Sequence, residues 1–237
     1  MFDIKSIKTQ LIIFLLALGL FLGISDKDAG FLAAIAIAAF WAMAAEAAFL
    51  YFKQKSLKIT ESAIISGLIA GFVLSSDEPG WKLALAAVLA IASKQVIHFR
   101  NRHIFNPAAC GIFLATVIFG SITEWRGTYL WQVLAPFGIY FAWRMKKLEV
   151  LVGYALVALI LFGTQAFGYS TYFYIFIMVI EPKTTPIRPL GKYLFGVGVA
   201  GLIFISTQKG ARFDVELVSL LAMNALVPLL NYLPSQR

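Results

Sequence analysis

Ten apolar stretches, separated by short polar connections, divide the sequence almost from end to end. They run from Gln10–Ile24, Gly30–Tyr51, Ala63–Leu74, Trp81–Ile97 and Asn106–Phe119 through Tyr129–Trp143, Leu148–Phe167, Ser170–Ile180, Tyr193–Ile205 and Val215–Leu233. A helix crosses the hydrocarbon core of a bilayer with about 20 such residues. A water-soluble domain is about one-quarter charged, whereas only 14% of this chain is charged and 60% is hydrophobic. The expected fold is therefore all-α and polytopic, with about ten transmembrane helices. Two histidines and one cysteine, Cys110, exclude a disulfide framework, a Cys-ligated iron–sulfur cluster and a Cys/His zinc site built by this chain alone. Lys5 and Lys8 before an apolar run resemble a signal peptide, but Ser25-Asp26-Lys27-Asp28 replaces a small-residue cleavage site. The first segment is expected to stay as a helix.

The net charge of +8 is first a topology signal, and no nucleic-acid partner is expected. With the N-terminus inside, the inner segments hold Lys5, Lys8, Lys53, Lys55, Lys58, Lys94, Arg100, Arg102, Arg144, Lys146, Lys147, Lys183, Arg188, Lys192 and Arg237. The outer loops hold only Lys27, Lys82, Arg126, Lys209 and Arg212. A wrong segment count would scramble that bias, so ten crossings with both termini cytoplasmic are expected in the inner (plasma) membrane.

Ten crossings divide into two fives, residues 1–120 and 121–237, and an odd number per half inverts the second. In each half the third segment is short, Ala63–Leu74 and Ser170–Ile180, about 16–18 Å of helix. Each runs into a proline-bearing polar stretch, Ser75–Pro79 and Glu181–Pro186, and then into another apolar segment. The fifth segments carry Asn106-Pro107 and Asn224…Pro228. Short, proline-interrupted segments at matching positions point to a midplane site in inverted-repeat transporters.

Asn is a preferred N-cap and Pro is favoured at the first helical position, so a helix is predicted to start at Pro107. Its N–H groups, within the membrane's depth, suit a carbonyl-rich or anionic ligand; a structural cap is the other reading. Pro228 opposes the carbonyl of Asn224 and should make the matching break. Glu181-Pro182-Lys183-Thr184-Thr185-Pro186 brings donors, an acceptor and a positive charge to the inner end of a half-helix; a solvated loop is the plainer reading, but three prolines, with Pro189, specify a shape. Glu46, inside the second segment, is a candidate on an ion pathway or a carboxyl hydrogen-bonded to another helix. Gly67 and Gly71 are expected to permit close helix packing. His98 and His103, on one helix, would point about 140° apart, a poor haem site. No Walker A sequence, Gly-x-Ser-x-Gly or carboxylate–His–Ser set is present. The residues alone indicate a transporter, a channel or a membrane subunit.

Three motifs go further. His103-Ile104-Phe105-Asn106-Pro107-Ala108-Ala109, Glu181–Pro186 followed by Pro189-Leu190-Gly191, and Met223-Asn224-Ala225-Leu226-Val227-Pro228-Leu229 resemble the RnfD/NqrB family over about Ile59 to Leu233. These are membrane subunits of ion-translocating ferredoxin:NAD and NADH:quinone oxidoreductases. The resemblance implies a five-plus-five inverted repeat like that of urea transporters. It also implies electron passage across the membrane, coupled to Na⁺ or H⁺ movement, by a subunit without a complete active site of its own. The implied cofactor is non-covalent flavin, riboflavin or FMN, near Asn106. On this reading the cofactor-binding candidates are His103, Asn106, Pro107, Lys183, Thr184, Thr185 and Asn224, with no metal.

Two departures accompany the resemblance. Long members esterify FMN to a Thr in a Ser-Gly-Ala-Thr motif, whereas Thr123 and Thr128 lack that context, so no covalent flavin is expected. The chain is also shorter than those subunits, which implies a reduced system. Its expected partners are other membrane redox subunits, an extracytoplasmic flavoprotein or cytochrome, and the lipid bilayer. The alternatives are a stand-alone transporter or channel for flavin or a small neutral solute, and a purely structural membrane anchor.

Overall fold

The computed structural model describes residues 3–99, 102–169 and 172–233. Arg100, Ser170 and Arg237, which entered the charge count and segment bounds, lie outside these. Ten α-helices occur among the described residues, and four are long and apolar enough to cross a bilayer: Ile7–Ser25, Ala29–Gln54, Leu148–Gln165 (whose last turn is 3-10) and Pro189–Gln208. Glu61–Val73, Pro107–Phe119 and Val215–Leu230 are shorter apolar helices. The expectation of a mainly helical, polytopic membrane chain is met.

The chain forms two compact units, one of Met1–Val96 with Pro107–Gly127, the other of Ile97–Asn106 with Thr128–Arg237. The first holds α1 (Ile7–Ser25), α2 (Ala29–Gln54), α3 (Glu61–Val73), α4 (Gly80–Val96) and α5 (Pro107–Phe119). Helix starts follow from capping. Asp28 accepts from Phe31 N at 2.8 Å to open α2, and Thr60 accepts from Ala63 N at 3.3 Å to open α3. Gly67 and Gly71 let α3 lie on α2. A Cβ at either would sit 2.6 Å from the α carbon of Ala39 or Ile35, closer than side chains allow. The loop after α5 closes on Arg126, which meets Asp28 and Glu124 at 2.8 Å each and lies over the Phe31 ring. Its carboxylate neighbours hold the guanidinium above its ordinary pKa, and it in turn holds Glu124 below the usual carboxylate range.

The second unit holds a two-stranded hairpin, β1 (His98–Phe99) and β2 (Arg102–His103), and helices α6 (Trp131–Arg144), α7 (Leu148–Phe162), α8 (Ala166–Tyr169), α9 (Pro189–Gln208) and α10 (Val215–Leu230). Gly196 brings α9 against α7, its missing Cβ giving room to the carbonyl of Val150. The eighth apolar segment contains a π-helical stretch, Tyr174–Met178, in which Val179 N reaches back to the carbonyl of Tyr174 at 3.0 Å. Single π turns inside helices concentrate at functional sites.

Two expectations require correction. His98 and His103 are antiparallel register partners on the hairpin, not members of one helix. In addition, α10 does not break at Asn224. It continues through Pro228 to Leu230, because proline removes one backbone bond while Asn231 N still reaches the carbonyl of Val227 at 3.1 Å.

Candidate functional site

The stretch 181–188 contains Pro182 and Pro186 and is followed by Pro189, so it forms no regular ladder of its own. Buried backbone groups outside a ladder need other partners, and side chains from several elements of the second unit supply them. Thr185 Oγ1 donates to the Glu181 carbonyl at 2.8 Å, and Thr184 Oγ1 donates to Glu181 Oε2 at 3.0 Å. Ile187 N donates to Asn231 Oδ1 at 2.8 Å. Arg188 donates to the carbonyl of Leu233. Lys147, buried at the turn before α7, sends its ammonium to the Pro186 carbonyl at 2.7 Å. Burial first, then the like charges of Lys192 and Arg102, lower its pKa from 10.5 to about 8.

Asn224 and Asn106 close this arrangement. Asn224 is 0% exposed and Asn106 2%. Asn224 Nδ2 donates to the Thr184 carbonyl at 2.9 Å, and its Oδ1 accepts from Asn106 N at 2.8 Å. Asn106 Nδ2 donates to the Met178 carbonyl at 3.2 Å, at the end of the π-helical stretch. His103 Nε2 lies 3.4 Å from Glu181 Oε1. One amide on α10 therefore joins the residue before α5 to the proline-rich stretch. Asn106 and Asn224, 118 residues apart in sequence, meet directly.

A cavity of about 270 Å³ opens beside this clasp. Asn224 and His103 line it with Arg102 and Lys183, both exposed, and with the rings of Phe99 and Tyr232. The structure thus brings His103, Asn106, Lys183, Thr184, Thr185 and Asn224 into one neighbourhood. Their roles differ: His103, Lys183 and Asn224 face the cavity, while Asn106, Thr184 and Thr185 fix the backbone behind it. Pro107 is buried at the start of α5, in the other unit.

Glu46 also belongs to the first unit, 1% exposed. Its Oε1 is 2.8 Å from Lys94 Nζ and accepts from Thr60 Oγ1 at 2.9 Å, and its Oε2 accepts from Gln95 Nε2 at 3.1 Å. Both carboxylate oxygens are engaged. No group of three or more His, Cys, Asp or Glu side chains placed to hold a metal occurs among the described residues. Sequence reasoning did not single out Lys147, Asn231 or Arg102 for this site. Lys147 and Arg102 read only as topology charges, and Asn231 carried no motif.

Comparison with known proteins adds a lineage to this geometry. Residues 2–129, more than half of the chain, match the NQR2, RnfD, RnfE family. A protein of Erwinia tasmaniensis, named as a subunit of an ion-translocating oxidoreductase complex, is 31% identical over 107 residues, which cover 43% of this chain and 30% of that protein. A Buchnera aphidicola protein of the same name is 34% identical over 73 residues, 31% of this chain and 21% of that protein. The matched stretch thus spans about a third or less of either relative. On the extent of the family match, this chain is a member of the NQR2, RnfD, RnfE family.

Proposed function

We propose that this chain is a multi-pass membrane subunit of an ion-translocating electron-transport system, and that the cavity beside the Asn106–Asn224 clasp binds flavin without a covalent bond. The observation that carries the flavin assignment is the donor set around a small, rigidly framed cavity. Arg102 and Lys183 suit a phosphate or other anionic group, and Phe99 and Tyr232 offer faces to a flat ring. A volume of about 270 Å³ falls just below the usual range for ligand sites, about 300–1,000 Å³. It fits one end of a flavin rather than a dinucleotide. Flavin, when bound, supplies the one- and two-electron chemistry. His103 and Lys183 would orient it, and the clasp would keep the cavity wall from relaxing.

The reading includes an inverted five-plus-five repeat in the inner membrane with both termini cytoplasmic. Matching pairings support a repeat: α1 on α3, α2 on α4 and α4 on α5 in the first unit, and α6 on the π-helical stretch, α7 on α9 and α9 on α10 in the second. Glu46 enters as the intramembrane carboxylate on the ion pathway, its charge balanced at rest by Lys94. The redox partners are other membrane subunits and an extracytoplasmic flavoprotein or cytochrome; the names of the relatives, which place them in an oxidoreductase complex, support the first of these.

The test is the absorbance spectrum of the protein purified in mild detergent, followed by acid precipitation. A stoichiometric flavin released by acid is expected. Replacing both exposed cations, Arg102→Gln with Lys183→Gln, should lower occupancy about tenfold without changing the melting temperature. A colourless, monodisperse wild-type preparation overturns the flavin assignment and favours transport of a small solute.

A further inference from the structure

We propose that the α6–α7 edge of the second unit is a binding site for an anionic phospholipid, with one acyl chain in an apolar groove and the headgroup phosphate at Arg144 and Lys146. The groove, about 400 Å³, runs along α7 and is lined by Ile139, Leu151, Val152, Ala155 and Phe176. Almost all of its wall is hydrocarbon or aromatic. At the α6–α7 turn it meets a second recess, lined by Trp143, Arg144, Lys146 and Glu149, and Leu148 belongs to both. An apolar channel that ends at a basic rim has the polarity of a phospholipid read from tail to head.

The rim is held in place. Arg144 Nη1 donates to Tyr140 Oη at 2.7 Å, with its guanidinium 5.7 Å from the Tyr140 ring centre. Lys146 sits at φ 57°, in a tight turn where its N–H reaches the Trp143 carbonyl at 3.0 Å and the next N–H reaches the Ala142 carbonyl at 2.7 Å. The acid in the recess does not oppose an anion alone, because Glu149 Oε1 is 3.2 Å from Lys192 Nζ. Trp143 and the two cations are exposed. Tryptophan and long basic side chains at the ends of adjacent spans occupy the headgroup level. Basic pockets between membrane helices take anionic headgroups. A phosphate without chains would leave the groove uncovered, and a zwitterionic lipid would present its own cation to the rim.

Native mass spectrometry of the delipidated protein, reloaded with equimolar phosphatidylglycerol and phosphatidylcholine, tests the site. Two cations near the headgroup predict a preference of about 30-fold for phosphatidylglycerol, roughly fivefold from each. Arg144→Gln with Lys146→Gln should bring that ratio near one while both lipids still bind. Ala155→Phe, at an exposed position in the groove, should lower retention of both lipids and leave the ratio unchanged. Equal retention of the two lipids by wild type, or a preference that survives in the double variant, overturns the headgroup assignment. Undiminished binding in Ala155→Phe, or equal competition by glycerol phosphate, overturns the acyl-chain assignment and leaves the groove as a surface for protein.

Discussion

Replacing Asn224 with Leu tests the clasp most directly. The substitution keeps the branching and the number of side-chain heavy atoms, with bulkier methyl ends, and removes two hydrogen bonds, the 2.8 Å bond from Asn106 N and the 2.9 Å bond to the Thr184 carbonyl. Each backbone group left unmet in a dry setting costs about 1–3 kcal/mol. Interhelical polar contacts in membrane proteins average less, about 0.6 kcal/mol, because the unfolded chain in the bilayer finds other partners. Here both stranded groups are main-chain groups outside helices, so the larger figure governs, and about 2–4 kcal/mol is expected. At about 2–4 °C per kcal/mol for a chain of this size, the melting temperature in detergent should fall by roughly 5–15 °C. Ser219 on the same helix supplies the comparison: it is 0% exposed, and its hydroxyl has no hydrogen-bond partner among the described residues. Ser219→Ala should leave the melt unchanged or slightly raised. A shift of less than about 1 °C for Asn224→Leu, well under the scale set by one stranded group, or an equal loss for Ser219→Ala, would refute the reasoning.

Lys94→Met should destabilise the first unit by about 3–5 kcal/mol, because it leaves the Glu46 carboxylate buried without its cation; Glu46→Gln should cost less, since Lys94 is the more exposed partner, and equal melting shifts would contradict this. For Lys147 the sign follows from its lowered pKa. Between about pH 8 and 10.5 the unfolded state holds a proton that the folded state has released, so stability should rise with pH across that window. Lys147→Met should flatten the rise in thermal melts, and an unchanged slope would mean that another group is responsible.

Much of the helical layout was legible in the residues. The start of α5 at Pro107 follows from Asn-Pro chemistry, and the contact of α3 with α2 follows from Gly67 and Gly71, because both are local or periodic signals. Asn224 and Pro228 showed the limit. Proline's cost to a helix is local, but neighbouring bonds absorb it, so the residue pair read as a break became a continuous helix with a polar side chain at its centre. The hairpin was hidden because His98 and His103 lie between apolar segments with no turn signal such as Asn-Gly. Lys147 carried no mark of its role, since a lysine that satisfies a proline-rich carbonyl looks the same in sequence as one that anchors a loop. Glu46 stood out as a carboxylate in an apolar run, but its partners Lys94, Thr60 and Gln95 come from elements whose packing no spacing rule supplies.

The stretch 181–188 takes its shape from side chains that are synthesised at different times. Lys147, Thr184 and Thr185 are made before or with it, whereas Asn224, Asn231 and the carbonyl of Leu233 are made only after it. Chains emerge N-terminal part first, so the cavity wall cannot be complete until α10 and the residues just after it have been made. Assembly of the site is thereby tied to the synthesis of α10, and a ligand that needs the finished wall cannot be captured by a chain that still lacks that helix.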